Sequence, residues 1–477
     1  MRAPPTWLRT AFPAVFLIAL AACSSGPTPL PLAASAAADS PAQWNAPLPH
    51  RGALTELTAW WQQFDDAVLL QLIVAAQEAS PTIASAASRI EQSRATRVAA
   101  GAALLPSLDA GASATRGKQD FISGLANTGS VGLQAAWELD LFGGRGAARN
   151  AAEARLQGAE AGWHDARVAV AAEVASSYTR LRACEATVVQ TRLDSDSRNE
   201  TARLTDLSAR AGFESPANAA LARASAAQGN SLLTQRRAEC DAGVKGLVAL
   251  TGVDEPTLRG RLAAGAGRLP EPASIVMNEV PAQTLAQRPD LLTAERDLIA
   301  AAAEVTQAQA ARLPRIALNG SISASRFESG FGHQTGTLWS LGPLTVSLPI
   351  FDGGTRRADV AAAQARYEEA GALYRLRLRT AVREVEEALV TLKSTADRSN
   401  DSQIATEGFA ASFRATEARY KGGLGSLFEL EDARRSALAA EIAVIDLRRE
   451  RAAAWIDLYR ALGGGWTNPN TTSIAAQ

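Results

Sequence analysis

The sequence predicts an α+β membrane protein in which long helices and short strand pairs occur twice over. Three observations carry this reading. The chain repeats itself at a period near 210 residues, the stretches 146–211 and 356–421 contain no proline, and four segments alternate apolar with polar side chains. Composition agrees. Ala, Arg, Glu, Gln and Leu in bulk favour long helices, while 2 Met, 3 His and 5% aromatic residues are unusual for a globular enzyme.

Residues 1–22 have the anatomy of an export signal. Arg2 and Arg9 give a positive start, an apolar run follows from Phe12 to Ala22, and small residues precede Cys23. Leu20-Ala21-Ala22-Cys23 resembles the lipobox of bacterial lipoproteins. That resemblance implies cleavage before Cys23, a diacylglycerol on its thiol and an acyl chain on its amine, enough for stable anchoring. Ser24, where Asp would suggest inner-membrane retention, points to the outer membrane of a Gram-negative cell. The alternative is an ordinary secretory signal with an incidental cysteine. Residues 23–53, rich in Ser, Pro and Ala, read as a tether. The full chain carries 48 basic and 49 acidic side chains, a net charge of −1; without Arg2 and Arg9 it is −3. So small a charge argues against nucleic acid as a partner. No later segment has the eighteen consecutive apolar residues of a membrane helix.

The repeat orders the rest. Pro106 and Pro314 each follow a helical pattern and open a strand pattern, 208 residues apart. Leu141-Phe142 matches Ile350-Phe351 at 209, Gly212 matches Gly422 at 210, and Thr251-Gly252 matches Leu462-Gly463 at 211. Each copy reads helix, strand, strand, long helix, turn, helix. The expected segments are 54–79 (belt), 80–105 (helix), 106–142 (β-hairpin 1), 146–251 (helical hairpin 1) and 252–288 (belt). They continue with 289–312 (helix), 313–352 (β-hairpin 2), 355–462 (helical hairpin 2) and a tail at 463–477.

In the strands Leu108, Ala110 and Ala112 alternate with Asp109, Gly111 and Ser113, and Val131, Leu133 and Ala135 with Gly132 and Gln134. Ile316, Leu318 and Ile322 alternate with Ala317, Asn319 and Ser321, and Leu344, Val346 and Leu348 with Thr345 and Ser347. Period two over about ten residues fits half-buried or outer-membrane strands. The polar stretches 117–129 and 327–338 are expected to be tip loops. At 1.5 Å per residue each proline-free rod reaches roughly 100 Å, too long for a small globular domain. Gly212-Phe213-Glu214-Ser215-Pro216 and Gly422-Gly423-Leu424-Gly425 fold the rods back. Four strands cannot close a barrel, and an open sheet in lipid would leave two unpaired edges. Several chains must therefore share one barrel. Two give eight strands and three give twelve.

With these motifs in order, the chain resembles the outer-membrane efflux factors, the TolC-like channel family, and within it the acylated OprM-like branch. The resemblance runs from about Leu54 to Trp466. It is carried by Trp60-Trp61, Phe64-Asp65-Asp66, Trp137-Glu138-Leu139-Asp140-Leu141-Phe142-Gly143, Arg288-Pro289-Asp290, Arg419-Tyr420, Asp432-Ala433-x-Arg435 and Leu462-Gly463-Gly464-Gly465-Trp466. It implies a homotrimer with a shared twelve-stranded outer-membrane β-barrel, a helical periplasmic barrel and an equatorial belt. It implies as partners a periplasmic adaptor (membrane fusion) protein, an inner-membrane RND-type pump and outer-membrane lipid. The expected role is a passive exit duct for drugs or other small solutes, gated at the periplasmic helix tips. By the same resemblance Phe428, Glu429, Asp432 and Arg435 form the aperture, with Arg435 restraining the acids. Gly425 departs from relatives that carry a basic residue there. Read without the resemblance, these four are a solvated helix face.

Cys184 and Cys240 lie 28 residues either side of Gly212, so a hairpin bent there sets them side by side. Either a disulfide or two buried thiols fits. Arg288-Pro289-Asp290 reads as a helix start, with proline in the first turn and Asp290 serving its amides. Trp60 and Trp61 read as belt packing, and Trp137, Trp339 and Phe351 as interfacial or packing aromatics. His50, His164 and His333 have no metal-ligand set near them, and no phosphate loop or nucleophile elbow appears, so no enzyme, metal or cofactor is expected. Two alternatives stand beside the efflux duct: a type I secretion duct of the same fold, and a non-channel periplasmic coiled-coil lipoprotein scaffold.

Overall fold

A computed structural model describes residues 57–118, 125–272, 285, 287–329 and 332–464. Cys23, His50, the tether, Gly465 and Trp466 lie outside them. A 3-10 helix, Leu57–Phe64, opens the described chain. Then come α1 (Ala67–Ala79), α2 (Pro81–Ala102), β1 (Ser107–Lys118), β2 (Leu125–Leu139), α3 (Gly144–Arg210) and α4 (Pro216–Thr251). The second copy follows a short α5 (Glu255–Ala263) with α6 (Pro289–Ala310), β3 (Arg315–Ser329), β4 (Gly332–Ser347), α7 (Thr355–Lys421) and α8 (Leu427–Ala461). Both rods are unbroken α-helices of 67 residues. No single described helix is long and apolar enough to cross a membrane.

The chain forms two compact units. The first holds the four strands as one antiparallel sheet in the order β1-β2-β3-β4. Each hairpin pairs internally, and β2 joins the repeats through β3, from Asn127↔Glu328 to Leu139↔Ile316. This leaves β1 and β4 as edges. A bulge opens between Leu318 and Gly320 opposite Gly342-Pro343, where an edge strand tolerates proline. The strands run further than the side-chain pattern suggests. β1 reaches Lys118, β2 starts at Leu125, and β3 and β4 pair up to Ser329↔Gly332. Most of the expected tip loops is thus ladder, because backbone pairing continues through polar residues that do not alternate.

Aspartates start both rods. Asp140 accepts from the Arg145 and Gly146 amides at 3.0 and 2.7 Å, and Asp352 from Gly354 and Arg356 at 3.0 and 3.2 Å. Three or four free N–H groups at a helix start need such an acceptor. In this unit Glu304 of α6 also pairs with Arg155 of α3 and, at 3.6 Å, with Arg366 of α7.

The second unit carries the main core. Trp60 is 1% exposed and packs edge-on to Trp455, 6.1 Å between centroids, and tilted against Tyr459. Trp61 stacks between Phe64 and Tyr459. Leu69, Leu72, Leu247, Leu258, Leu389 and Leu392 close around them. These tryptophans are packing residues. Asp66 caps α1 through the Val68 and Leu69 amides and accepts from the Tyr178 hydroxyl at 2.7 Å, tying the start of α1 to α3. Arg288 is buried and fans out to Asp290, to Glu384 of α7 at 2.9 Å and to the Ala461 carbonyl at the end of α8 at 2.9 Å. Asp290 also accepts from the Leu291 amide. The Arg-Pro-Asp start is therefore a knot joining three helices.

Candidate functional site: the helical hairpin tips

Both tips end in the same device. Gly212 and Gly423 adopt φ of +81° and +75°, the left-handed conformation that glycine takes most readily. At the first, Phe213 N–H donates to Ser208 O at 2.9 Å and Gly212 N–H to Ala209 O at 3.1 Å. At the second, Leu424 donates to Arg419 O at 2.8 Å and Gly423 to Tyr420 O at 3.0 Å. These are Schellman closures. Ser215 and Ser426 then cap the return helices, accepting from Asn218 and Glu429 amides at 3.1 Å each. The turn glycine of the second copy is thus Gly423 rather than Gly422, because the closing bonds count from Arg419 and Tyr420.

The first turns of α8 have two faces. Leu427, Leu430, Glu431 and Arg434, at helical spacing i, i+3, i+4 and i+7, turn inward. The leucines pack on Ala202 of α3 and on Ala222 and Ala226 of α4. Glu431 accepts from Arg198 at 3.2 Å, from Ser225 at 2.8 Å and from Arg434. Arg198 also holds Asp194 at 2.7 Å. Arg434, 2% exposed, donates to Thr201 at 2.8 Å and Ser197 at 3.2 Å and lies over the Phe413 ring. Tyr420 and Thr205 share a hydrogen bond of 2.8 Å. Two cations and two carboxylates are neutralised in one dry cluster, which locks the second hairpin to the first.

The outward face carries the four expected aperture residues. Phe428 is 72% exposed despite its size, Glu429 is about half exposed, and Asp432 and Arg435 are exposed. Glu429 and Asp432 share one side of the helix. Glu429 lies 3.9 Å from Arg419, across the turn. Asp432 and Arg435 make no ion pair among the described residues, and the arginine that meets Glu429 within the chain is Arg419. Sequence reasoning passed over Glu431 and Arg434. The usable signal was Ser197, Thr201 and Thr205, a hydroxyl at every fourth position that marks one ridge of α3 as facing a polar partner.

Further up the first hairpin, Cys184 and Cys240 are joined as a disulfide with Cα atoms 5.7 Å apart. No cluster of metal-ligating side chains occurs among the described residues. His164 stacks edge-on against Trp163, and burial, then Arg167, lower its pKa. Trp339 on β4 and Phe351 beyond its end are exposed, and Trp137 on β2 donates to the Leu104 carbonyl at 3.0 Å.

Residues 72–253 and 280–464 match the family described as outer membrane efflux protein, one match per repeat. The chain belongs to the outer membrane efflux protein family. It is similar to the outer membrane protein OprJ of Pseudomonas aeruginosa, with 32% identity over 94% of both chains. It is 31% identical to the pyoverdine export outer membrane protein OpmQ of the same species, over 94% of this chain and 95% of that one. The solved structure of the outer-membrane channel OprN superposes with a TM-score of 0.79 at 26% identity, covering 93% of this chain and all of that one. This efflux protein is therefore a Gram-negative outer-membrane channel of the TolC-like fold that extends into the periplasm, not an enzyme. The scaffold reading falls with that assignment.

Proposed function

We propose that this channel is the exit duct of a tripartite pump: a homotrimer with a twelve-stranded barrel, anchored by a triacylated Cys23, docked on a periplasmic adaptor and an RND-type inner-membrane pump. Small solutes are its cargo; relatives carry names such as toluene efflux pump outer membrane protein and pyoverdine export outer membrane protein. The edges β1 and β4 support assembly, since an open sheet needs partners in lipid. The scissile-chemistry residues of an enzyme play no part; the work is gating.

The observation that carries the gate is the division of α8 into a locked and a free face. Among the described residues the side chains of Phe428, Glu429 and Asp432 have no polar or charged partner beyond the long contact of Glu429 to Arg419. Around a three-fold axis they form a ring of six carboxylates backed by three aromatic rings, which narrows the pore and attracts cations. Arg435, without an ion pair among the described residues of its own chain, restrains the acids of a neighbouring copy. Opening moves the second hairpin tip outward and breaks a few charge-assisted bonds.

Single-channel recording in planar bilayers tests this. Wild type gives small, cation-selective openings; Glu429→Ala/Asp432→Ala gives larger and less selective ones. Equal conductance would move the gate away from these residues. Palmitate labelling that is lost in Cys23→Ala tests the anchor.

A further inference from the structure

Cross-strand register sorts the sheet into two faces. One carries Leu108, Leu133, Trp137, Ile322, Trp339 and Val346, all exposed. Along it, β1 is uncharged from Leu108 to Ala114, β2 from Leu139 to Leu125, and β3 from Ile316 to Ala324. Beyond that the same face turns basic. Arg326 stands level with Ala114 and Gly129, Arg116 with Asn127 and Glu328, and Lys118 with Leu125. The opposite face at these levels holds Thr115, Gly117, Thr128, Ser325 and Phe327, with no charge. The cations are thus confined to the apolar side, at the hairpin-tip end.

They are also unspent. All three are exposed, and none makes an ion pair among the described residues. Glu328 is the single carboxylate on this end of the face in the described strands. Arg116 and Arg326 sit two strands and two residues apart, about 12 Å by ladder spacing. Two guanidinium forks at that distance suit one or two phosphates, which they bind bidentately. Solubility alone would be served equally by charge on the polar face. A cation at this level of the apolar face costs roughly 0–1 kcal/mol in a membrane, against roughly 2–4 at mid-depth.

We propose that Arg116, Lys118 and Arg326 bind the phosphates of an outer-leaflet glycolipid of the lipid A class, whose acyl chains lie on the apolar face below. The ligand is an amphiphile because the site is one: on the same face Ala324 and Thr337 separate Arg326 from Ile322 and Trp339, with Leu341 in the next row. The proposal rests on the reading of the sheet as part of a shared membrane barrel.

The test uses the full-length oligomer in phosphate-free detergent. Diphosphoryl lipid A, the same lipid with its phosphates removed, and inorganic phosphate are each titrated, with bound lipid counted by native mass spectrometry. Conductance is recorded on every preparation. Wild type retains diphosphoryl lipid A, and Arg116→Gln/Lys118→Gln/Arg326→Gln weakens that binding about a hundredfold at roughly 1 kcal/mol per cation. The polar-face control Thr115→Gln/Ser325→Gln leaves it unchanged. Arg326→Gln alone, with a smaller expected loss, serves if the triple variant does not assemble. Equal lipid binding by wild type and basic-face variants overturns the proposal. So does binding of the dephosphorylated lipid as tightly as the parent, and saturation by inorganic phosphate alone overturns the lipid as ligand. A wild-type oligomer without conductance would count against the barrel instead.

Discussion

If the hairpin tip gates the pore as proposed, Arg434 is a single side chain that holds it shut from the side away from the pore. It is buried beside Glu431 of its own helix, Arg198 and two hydroxyls of the first hairpin, so its hydrogen bonds are complete only while both hairpins stay together. Arg434→Ala leaves Asp194 and Glu431 sharing the one cation Arg198 in a dry site, at a cost of about 3–5 kcal/mol. Local loosening of the tip is the expected result. In bilayers the variant opens more often than wild type although it alters none of the four aperture residues, and unchanged open probability would dissociate this cluster from gating. Asp290 acts in a different place and through protons. Burial alone would raise its carboxyl, but the hydrogen bonds and charge of Arg288 outweigh that and hold it below its ordinary 3.8. A depressed acid contributes stability that is complete above the unfolded value and lost as pH falls through the folded one. Asp290→Asn therefore destabilises the fold at pH 7 by on the order of 2 kcal/mol for one charged hydrogen-bonded pair, read as a lower thermal midpoint. The gap between wild type and variant closes as the pH is taken below 3.8. A gap constant from pH 7 to pH 3 would remove Asp290 from the acid sensitivity of the fold.

At the scale of elements, the turns and the staple decide how well each rod is folded back. Gly423→Ala places a Cβ on a backbone at φ +75° and costs roughly 1 kcal/mol; Gly422→Ala, on the preceding residue, costs less, and thermal unfolding of the pair separates them. Should Gly422→Ala prove the worse, the closure would count from the other glycine. The Cys184–Cys240 bridge spans a separation of 56 residues, worth about 4 kcal/mol in the chain-entropy account. Non-reducing gels should show a faster band for wild type than for Cys184→Ser, and equal mobility would mean free thiols. Much of this was legible beforehand. Period-two alternation located all four strands, proline-free runs located both rods, and equal spacing from Gly212 paired the cysteines. The strand ends were not legible, since residues such as Arg116 and Gln334 pair by backbone alone. The α5 helix after α4 and the Glu431–Arg434 cluster were hidden for a related reason. Charged residues in a helix usually face water, and nothing in their own local pattern says that another helix lies across them.

For the whole molecule, assembly turns on which side of the sheet meets lipid. The face bearing Ile322 is apolar across all four strands, and the face bearing Ser323 presents Gly111, Gly132 and Leu338 beside it in the same row. Adjacent residues therefore test opposite environments at one depth. Ile322→Lys sets a cation against hydrocarbon near mid-sheet, at a cost of roughly 2–4 kcal/mol per chain, multiplied by the number of chains sharing the barrel. The outer-membrane fraction should then contain little of the heat-modifiable oligomer. Ser323→Lys meets the aqueous lumen, where the charge is solvated. It should assemble in normal yield while reducing the conductance of cations, because one basic ring is added to the pore. The pair must behave oppositely in both assays. If Ser323→Lys blocked assembly and Ile322→Lys only retuned conductance, the barrel would be closed the other way round, and the basic rim formed by Arg116, Lys118 and Arg326 would face the pore instead of the lipid.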